Sequence, residues 1–564
     1  MMTKINKLIL LLCLLCLNVS VFAASEAEYK KLAKTWTLNS DGSQEFRYQM
    51  ELTLFTHTAM NSTYGESFII YNPEYQVLKI NSSYTQQKDG TIIQTPDNAF
   101  VECLPYSAEN APAYNHLKEM VVVHTGLELG ATIYLDYTIT TKAGYSPEID
   151  IFEKILQTSP VKEYVLTIIT PENKEVVYSL ANNKAKASVQ LSNGTRTTTW
   201  TLRNLPASSR NSFVSVANGD VPFLAATTYA TKEEALATLF KQFNTADDLQ
   251  LVTIAESLTE NIDKDEDKLK AIHEYVSRQF DNSRVSLEHA AFRLRSANAI
   301  LNTAYGTEIE KVNLLTGLLN GAGFTAEPVA LYATDTEKGL ALKAISQFFV
   351  SCQVNGENYL LSVTSTRRPQ IVGTEQTPLF CLSTGAPLSF SPSKDSKIKS
   401  DITITIKEGK VTTAVKESVG KDLLPYFTEG KQESKTTEPL TIQNGYATLL
   451  LPDAKQGISH LPYTRLNSER KENLSIPRLV DESYTYTVEC PTNIKLQTPE
   501  TSKSYQNTAG SFTFSVKKTG QSATITRSLK LNKQLYTPAE YKDLRLLLTE
   551  WNNISGKTLL FSVQ

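Results

Sequence analysis

The chain reads as a multidomain α+β protein, with an N-terminal β-sandwich, a helical α+β centre and a C-terminal β-sandwich closed by a helix. Three observations predict this. Short strand-like runs separated by turn residues fill Thr35 to about Val221 and resume at Asp401. Amphipathic helical periodicity is concentrated between Thr231 and Phe324. A length of 564 residues leaves room for three or four domains at ~150 residues each. Hydrophobic content of 41% and charged content of 20% are those of a globular chain, which excludes bulk disorder.

The first 23 residues predict a secretory signal. Lys4 and Lys7 precede an apolar core from Leu8 to Val21, and Val21-Phe22-Ala23 supplies the cleavage site. Cys13 and Cys16 each follow Leu, which argues against lipidation. No later stretch reaches the ~20 apolar residues of a membrane span. The expected product is exported to a periplasm or the cell exterior, with no transmembrane segment after cleavage. Ser25 to Lys34 reads as an amphipathic lead-in. The β-rich text then runs through Glu45–Leu54, Phe68–Tyr71, Gln76–Ile80 and, after the Asp89-Gly90 turn, Thr91–Gln94. Glu119–Val123, Thr132–Thr140, Val165–Thr170, Glu175–Leu180, Ala187–Leu191 and Arg196–Leu202 follow, at a density that suggests two packed sheets. Tyr71, Tyr75, Tyr84, Tyr106, Tyr114, His116 and His124 fall in or beside its loops as a possible sugar or peptide platform.

Thr231–Phe243, Asp247–Leu258 and Asp265–Phe280 read as helices. The last has Leu269, Ile272, His273, Val276 and Phe280 on one face. The organising stretch is Tyr305–Phe324. Thr307 and Glu310 form a capping box, Ile309, Val312, Leu315, Leu318, Leu319 and Ala322 make an apolar face, and Gly321 and Gly323 end the helix. A strand from Ser346 to Val354, an Asn355-Gly356 hairpin turn and a run from Asn358 to Thr364 follow.

This layout resembles the core of the transglutaminase-like superfamily, with its papain-type cysteine-enzyme fold, in a bacterial secreted branch. Tyr305, Gly306, Lys311, Leu314, Leu315, Gly323 and the strand Pro328–Leu331 fit the pattern. The family nucleophile falls on Glu308. Aligning the hairpin turn, Tyr359, Leu361 and Thr364 puts Gln347 where the resemblance expects His and Ser362 where it expects Asp. Acyl transfer on this fold needs a thiolate activated by a helix N-terminus and an imidazolium, and these three replacements provide neither. The N-terminal region is similar to the β-rich domain of unknown function that precedes the core in this branch. It shares the Asp89-Gly90 turn, Pro105–Ser107 and the Gly126–Gly130 stretch before Tyr134. Asp401–Ile406 opens a second β unit, and Tyr536–Trp551 resembles the terminal helix of the branch. The implied borders are 1–23 signal, 25–222 N-terminal β-sandwich, 223–375 transglutaminase-like domain with a degenerate site, and 376–564 C-terminal β-sandwich.

Arg293 and Arg295 are candidates to pair with Glu308 or Glu310, and Arg293, Arg295, Glu308 and Gln347 are the candidate binding residues. His273 and His289 read as packed or incidental. Among the cysteines after the leader, Cys103, Cys352, Cys381 and Cys490, spacing gives no disulfide pairing and no metal knuckle. Cys352 lies mid-strand and reads as buried. A net charge of −3 with scattered Lys and Arg argues against nucleic acid. No cofactor or metal is implied. The expected protein is an exported, non-catalytic transglutaminase-like chain with a scaffold role or a peptide, protein or polysaccharide ligand. The alternatives are a cysteine amidase or transglutaminase with a shifted nucleophile, and an altered-chemistry hydrolase built on Glu308.

Overall fold

The computed structural model describes residues 25–146, 148–208, 221–244, 248–334, 337–369, 378–390, 395–461, 463, 466, 469–470, 472–476 and 478–564. The expected signal segment lies outside them. The chain is multidomain and strand-rich, with 44% strand against 20% helix spread over several sheets.

The first unit is built on an eight-stranded sheet. The expected lead-in is part of it. Ala27–Leu38 is a strand near the middle, antiparallel to Gln44–Leu54 and parallel to Val161–Pro171. Its alternation, shifted by a bulge between Tyr29 and Lys31, places Ala27, Tyr29 and Leu32 in the core, so the amphipathic lead-in is a pleated strand. Two three-stranded sheets cover the large one: Glu66–Tyr71 with Lys118–Val123 and Phe100–Cys103, and Val177–Ala181 with Phe223–Thr227 and Asp150–Lys154. Leu32, Leu52, Ile133, Tyr164 and Trp200 fill the space beneath them.

Phe223–Thr227 is buried on both faces. Leu224 and Ala226 join the first core, while Phe223 and Ala225 join the core of the helical centre. The expected border at 222/223 falls immediately before this strand, which hydrogen-bonds into the N-terminal unit's sheet.

The centre holds α1 (Lys232–Phe240), α2 (Leu249–Thr259), α3 (Asp265–Gln279), α4 (Ala297–Thr303) and α5 (Glu308–Gly321). These pack on a four-stranded sheet in the order Glu357–Leu361, Ile345–Val354, Ala326–Tyr332, Leu379–Cys381. Asp248 caps α2, its Oδ1 accepting the Gln250 and Leu251 N–H groups. The apolar stripe of α5 predicts one buried face, yet every residue from Ile309 to Leu319 is buried, including Glu310, Lys311, Asn313 and Thr316. The sheet covers one side, and α2, α3 and α4 cover the others. That enclosure explains Gly317 and Gly321. A Cβ on Gly317 would stand 2.5 Å from Leu251 Cδ1, and one on Gly321 would stand 3.1 Å from Val252 Cα. Gly321 therefore serves helix approach, and Gly323, with φ +87°, makes the turn out of the helix.

The last unit has a seven-stranded sheet from Lys431–Pro439 at one edge to Thr501–Asn507 at the other, and a four-stranded sheet that includes Thr558–Val563. The closing helix, α6 (Pro538–Asn552), buries Leu544, Leu547, Leu548 and Trp551 against this core.

Candidate functional site

The N-terminus of α5 is where chemistry-bearing side chains meet. Thr307 and Glu310 form the reciprocal capping box, with Glu310 Oε2 accepting the Thr307 N–H at 2.8 Å. Glu310 is fully buried and does far more than cap. Its Oε1 accepts the Tyr114 hydroxyl (2.8 Å), the Arg295 backbone N–H (2.9 Å) and Arg295 Nε (3.1 Å), and its Oε2 accepts Arg295 Nη2 (3.1 Å). Burial pushes the Glu310 carboxyl up, but the guanidinium and backbone donors outweigh it and hold it below the usual carboxylate range. Arg295 also lies over the Tyr305 ring and donates to the Tyr305 carbonyl at 2.8 Å. The next residue, Lys311, is fully buried and donates to the Phe280 carbonyl and Asn282 Oδ1 at 2.7 and 2.8 Å, with burial lowering it to about 8.

Glu308 points elsewhere. It lines a cavity of about 400 Å³ with Arg284, Glu288, Arg293, Lys343 and Phe348. Its Oε2 accepts the Phe348 backbone N–H at 3.2 Å, and burial raises its carboxyl to about 7 despite that bond and nearby Lys311. Lys343 Nζ meets Glu288 Oε1 at 2.7 Å. The surrounding protein opposes ionisation of the half-exposed Glu288, but Lys343 holds its carboxyl below the usual range. The two carboxyls of this cavity are thus pushed in opposite directions.

The expected triad positions do not converge. The strand Ile345–Val354 does pass the N-terminus of α5, as the alignment requires. However, Gln347 is exposed, pairs with Leu331 and does not line the cavity. Leu331 and Phe349 pack on the far side of the sheet, while Phe348 faces α5, because successive side chains alternate. Ser362 is buried beyond the strand end. Its Oγ stands 3.0 Å from Thr364 Oγ1, and its carbonyl accepts His273 Nε2 at 2.8 Å. Of the three, Glu308 alone lines the cavity.

Of the two candidate arginines, Arg295 makes the expected pair with Glu310, and Arg293 does not. Arg293 Nη2 donates to the Gly144 carbonyl at 3.1 Å and its guanidinium lies over Tyr75. Of the expected aromatic platform, Tyr114 and His116 pack together with ring centroids 6.4 Å apart, and other members make separate contacts. Tyr84 stacks on Tyr134, His124 is buried against Ser67, and Tyr114 reaches Glu310. All four described cysteines are free thiols. Cys352 is buried, and burial pushes its thiol up to about 11. Among the described residues no cluster of His, Cys, Asp and Glu could hold a metal. Glu288, Lys343, Arg284 and Phe348 escaped sequence reasoning. They come from the loop before α4 and from the far side of a hairpin, with no spacing motif to join them.

A protein described as a putative protease from Parabacteroides distasonis has a crystal structure that matches this chain at 40% identity. The match covers 96% of this chain and all of that one, with a TM-score of 0.80. The chain belongs to that protein's family. Two families of unknown function with solved structures also match, DUF3857 over residues 40–209 and DUF3858 over residues 446–561. A putative cysteine protease from Cytophaga hutchinsonii aligns at 14% identity over 38% of this chain and 75% of its own, with a TM-score of 0.19. Legionella pneumophila aminopeptidase A aligns at 8% identity over 36% and 22%, with a TM-score of 0.21. At these scores neither bears on the site. No curated protein matches.

Proposed function

We propose that this is an exported, non-catalytic relative of the transglutaminase-like cysteine enzymes, whose central cleft binds a peptide or glycan segment. The observation that carries the reading is the occupant of the α5 N-terminus. Glu308, a carboxyl, stands there and lines the cavity. No Cys or His is among the described residues lining that cavity. A carboxyl at this position is a poor nucleophile toward an amide, so amide cleavage through a thioester has no starting point. The description of the 40% identical relative as a protease is compatible with a cleft that keeps affinity for peptides without cleaving them.

Screening the purified protein against peptide and glycan collections tests this. Glu308→Ala should weaken any ligand found by about tenfold or more. Unchanged binding would move the site elsewhere. One observation favours a second reading. Glu308 and Glu288 share a cavity, with one carboxyl raised and the other lowered, the pattern of an acid–base pair in hydrolysis. Turnover of fluorogenic glycosides or peptides that Glu308→Gln abolishes would establish that reading over the non-catalytic one.

A further inference from the structure

The cavity at Glu308 adjoins a second one of about 320 Å³, and both fall within the ~300–1,000 Å³ range of ligand sites. They share Phe152, Glu288, Phe292 and Lys343, so they form two lobes of one groove parted by the Glu288–Lys343 ion pair. Their charges differ. The Glu308 lobe carries Arg284, Arg293 and Lys343 against Glu288 and Glu308. The other lobe carries Glu45, Asp150, Glu288 and Glu153, the last paired with Lys34 at 2.7 Å, together with His289, and Lys343 is the one Lys or Arg among the described residues lining it.

Two features of the acidic lobe point to what it receives. Asp150 is 6% exposed, and its Oδ2 accepts the Lys343 backbone N–H at 2.8 Å, yet its Oδ1 has no hydrogen-bond partner. Leaving a buried carboxyl oxygen unmatched is unfavourable, and a charged donor would offset that. The walls include Trp36, Phe46, Tyr137 and Phe152, whose ring faces attract cations. At the rim stands Phe68, 61% exposed on the small sheet.

We infer that the acidic lobe receives the side-chain cation of a lysine or arginine in a peptide whose backbone runs on through the Glu308 lobe. This rests on the reading of the Glu308 cavity as a binding cleft and names its ligand. The aromatic walls take the aliphatic stem, and Asp150 and Glu288 face the ammonium or guanidinium. The mixed charge of the Glu308 lobe suits a neutral peptide backbone.

The test uses the full mature chain and blocked pentapeptides, acetyl-Ala-Ala-X-Ala-Ala-amide, with X as lysine, arginine, norleucine or glutamate, read by saturation-transfer NMR and calorimetry. The lysine and arginine peptides should bind about tenfold or more tighter than the norleucine peptide, and the glutamate peptide weakest. Asp150→Asn should erase that preference, bringing the lysine and arginine peptides to within about twofold of the norleucine peptide. Should Asp150→Asn fail to fold, Glu288→Gln, at a half-exposed position, reads the same preference. Equal binding of all four peptides, still weakened by Glu308→Ala, overturns the cation pocket and leaves the cleft intact. Binding of a glycan with no peptide bound overturns the peptide assignment. No binding of any kind overturns both readings.

Discussion

Removing Arg295 should expose how the buried carboxylate at the head of α5 is held. Glu310 is fully buried and Arg295 is 17% exposed, so the pair sits almost wholly out of water. Arg295→Met deletes two guanidinium–carboxylate bonds, the bonds to the Tyr305 carbonyl and Thr303 Oγ1, and the contacts over Tyr305 and Tyr114. It leaves the Tyr114 hydroxyl and the backbone donors of residues 295 and 307 in place. Losing one partner of a buried ion pair costs ~3–5 kcal/mol, and the surviving donors set the expectation at the lower end, about 3 kcal/mol. For a cooperative unit of ~150–250 residues that is a fall in Tm of roughly 6–12 °C. The carboxyl of Glu310 is lowered in the folded state, so the pair's contribution is full above the unfolded pKa of ~4.3. It is lost as pH falls through the lower folded value, and the gap between wild type and Arg295→Met should close in strong acid. Urea unfolding, with hydrogen exchange over residues 305–321 to localise the change, is the assay. Arg295→Met/Glu310→Gln should be less destabilised than the sum of its singles, because no charge is left buried without a partner. A cost below about 1 kcal/mol for Arg295→Met, or strict additivity in the double variant, would refute the reasoning.

Three other expectations follow from the same geometry. Burial raises Glu308 to about 7, above its unfolded value of ~4.3, so the folded chain holds the extra proton between these limits and loses stability as pH rises through them. Glu308→Gln should therefore gain on the wild type between pH 5 and pH 8, by at most about 3 kcal/mol, and a gap that does not move with pH would contradict this. Cys103 is exposed and Cys352 buried, so an aromatic disulfide reagent at neutral pH should label Cys103 fast and Cys352 only on unfolding. Cys381 and Cys490 are half-buried and should label more slowly, so a phase as fast as that of Cys103 surviving in Cys103→Ser would contradict this. Gly339 has φ +76°, and a Cβ there would stand 2.7 Å from the Val177 carbonyl oxygen and 2.8 Å from that of Ala225. Gly339→Ala should destabilise the chain by about 2–3 kcal/mol in urea titration, and a neutral result would mean the loop moves freely off the sheet.

Local signals carried much of this molecule. The capping box at Thr307 and Glu310, the period of α3, the Asn355-Gly356 turn and the stripe of α6 each act within one or two turns of chain. The energies that place them are likewise local, and each element forms where its residues predict. The strand at Ala27–Leu38 was harder to read. Twelve residues of mixed polarity fit a helix face as well as a pleat, and only pairing with Gln44–Leu54 and Val161–Pro171 chose between them.

The sequence by itself determined that a carboxyl occupies the N-terminus of α5, because position 308 follows directly from the cap at Thr307. It also set the pairing partners of the hairpin beside it, because a two-residue turn fixes register. Tertiary structure alone decided which side chains share the cavity. Side chains alternate across a strand, so the neighbour of Glu308 is Phe348 rather than Gln347. Glu288, Lys343 and Asp150 come from three separated segments that meet only when the N-terminal sheet packs on the helical centre. A groove formed by such packing has no period and no motif, since its residues are neighbours in space and not along the chain.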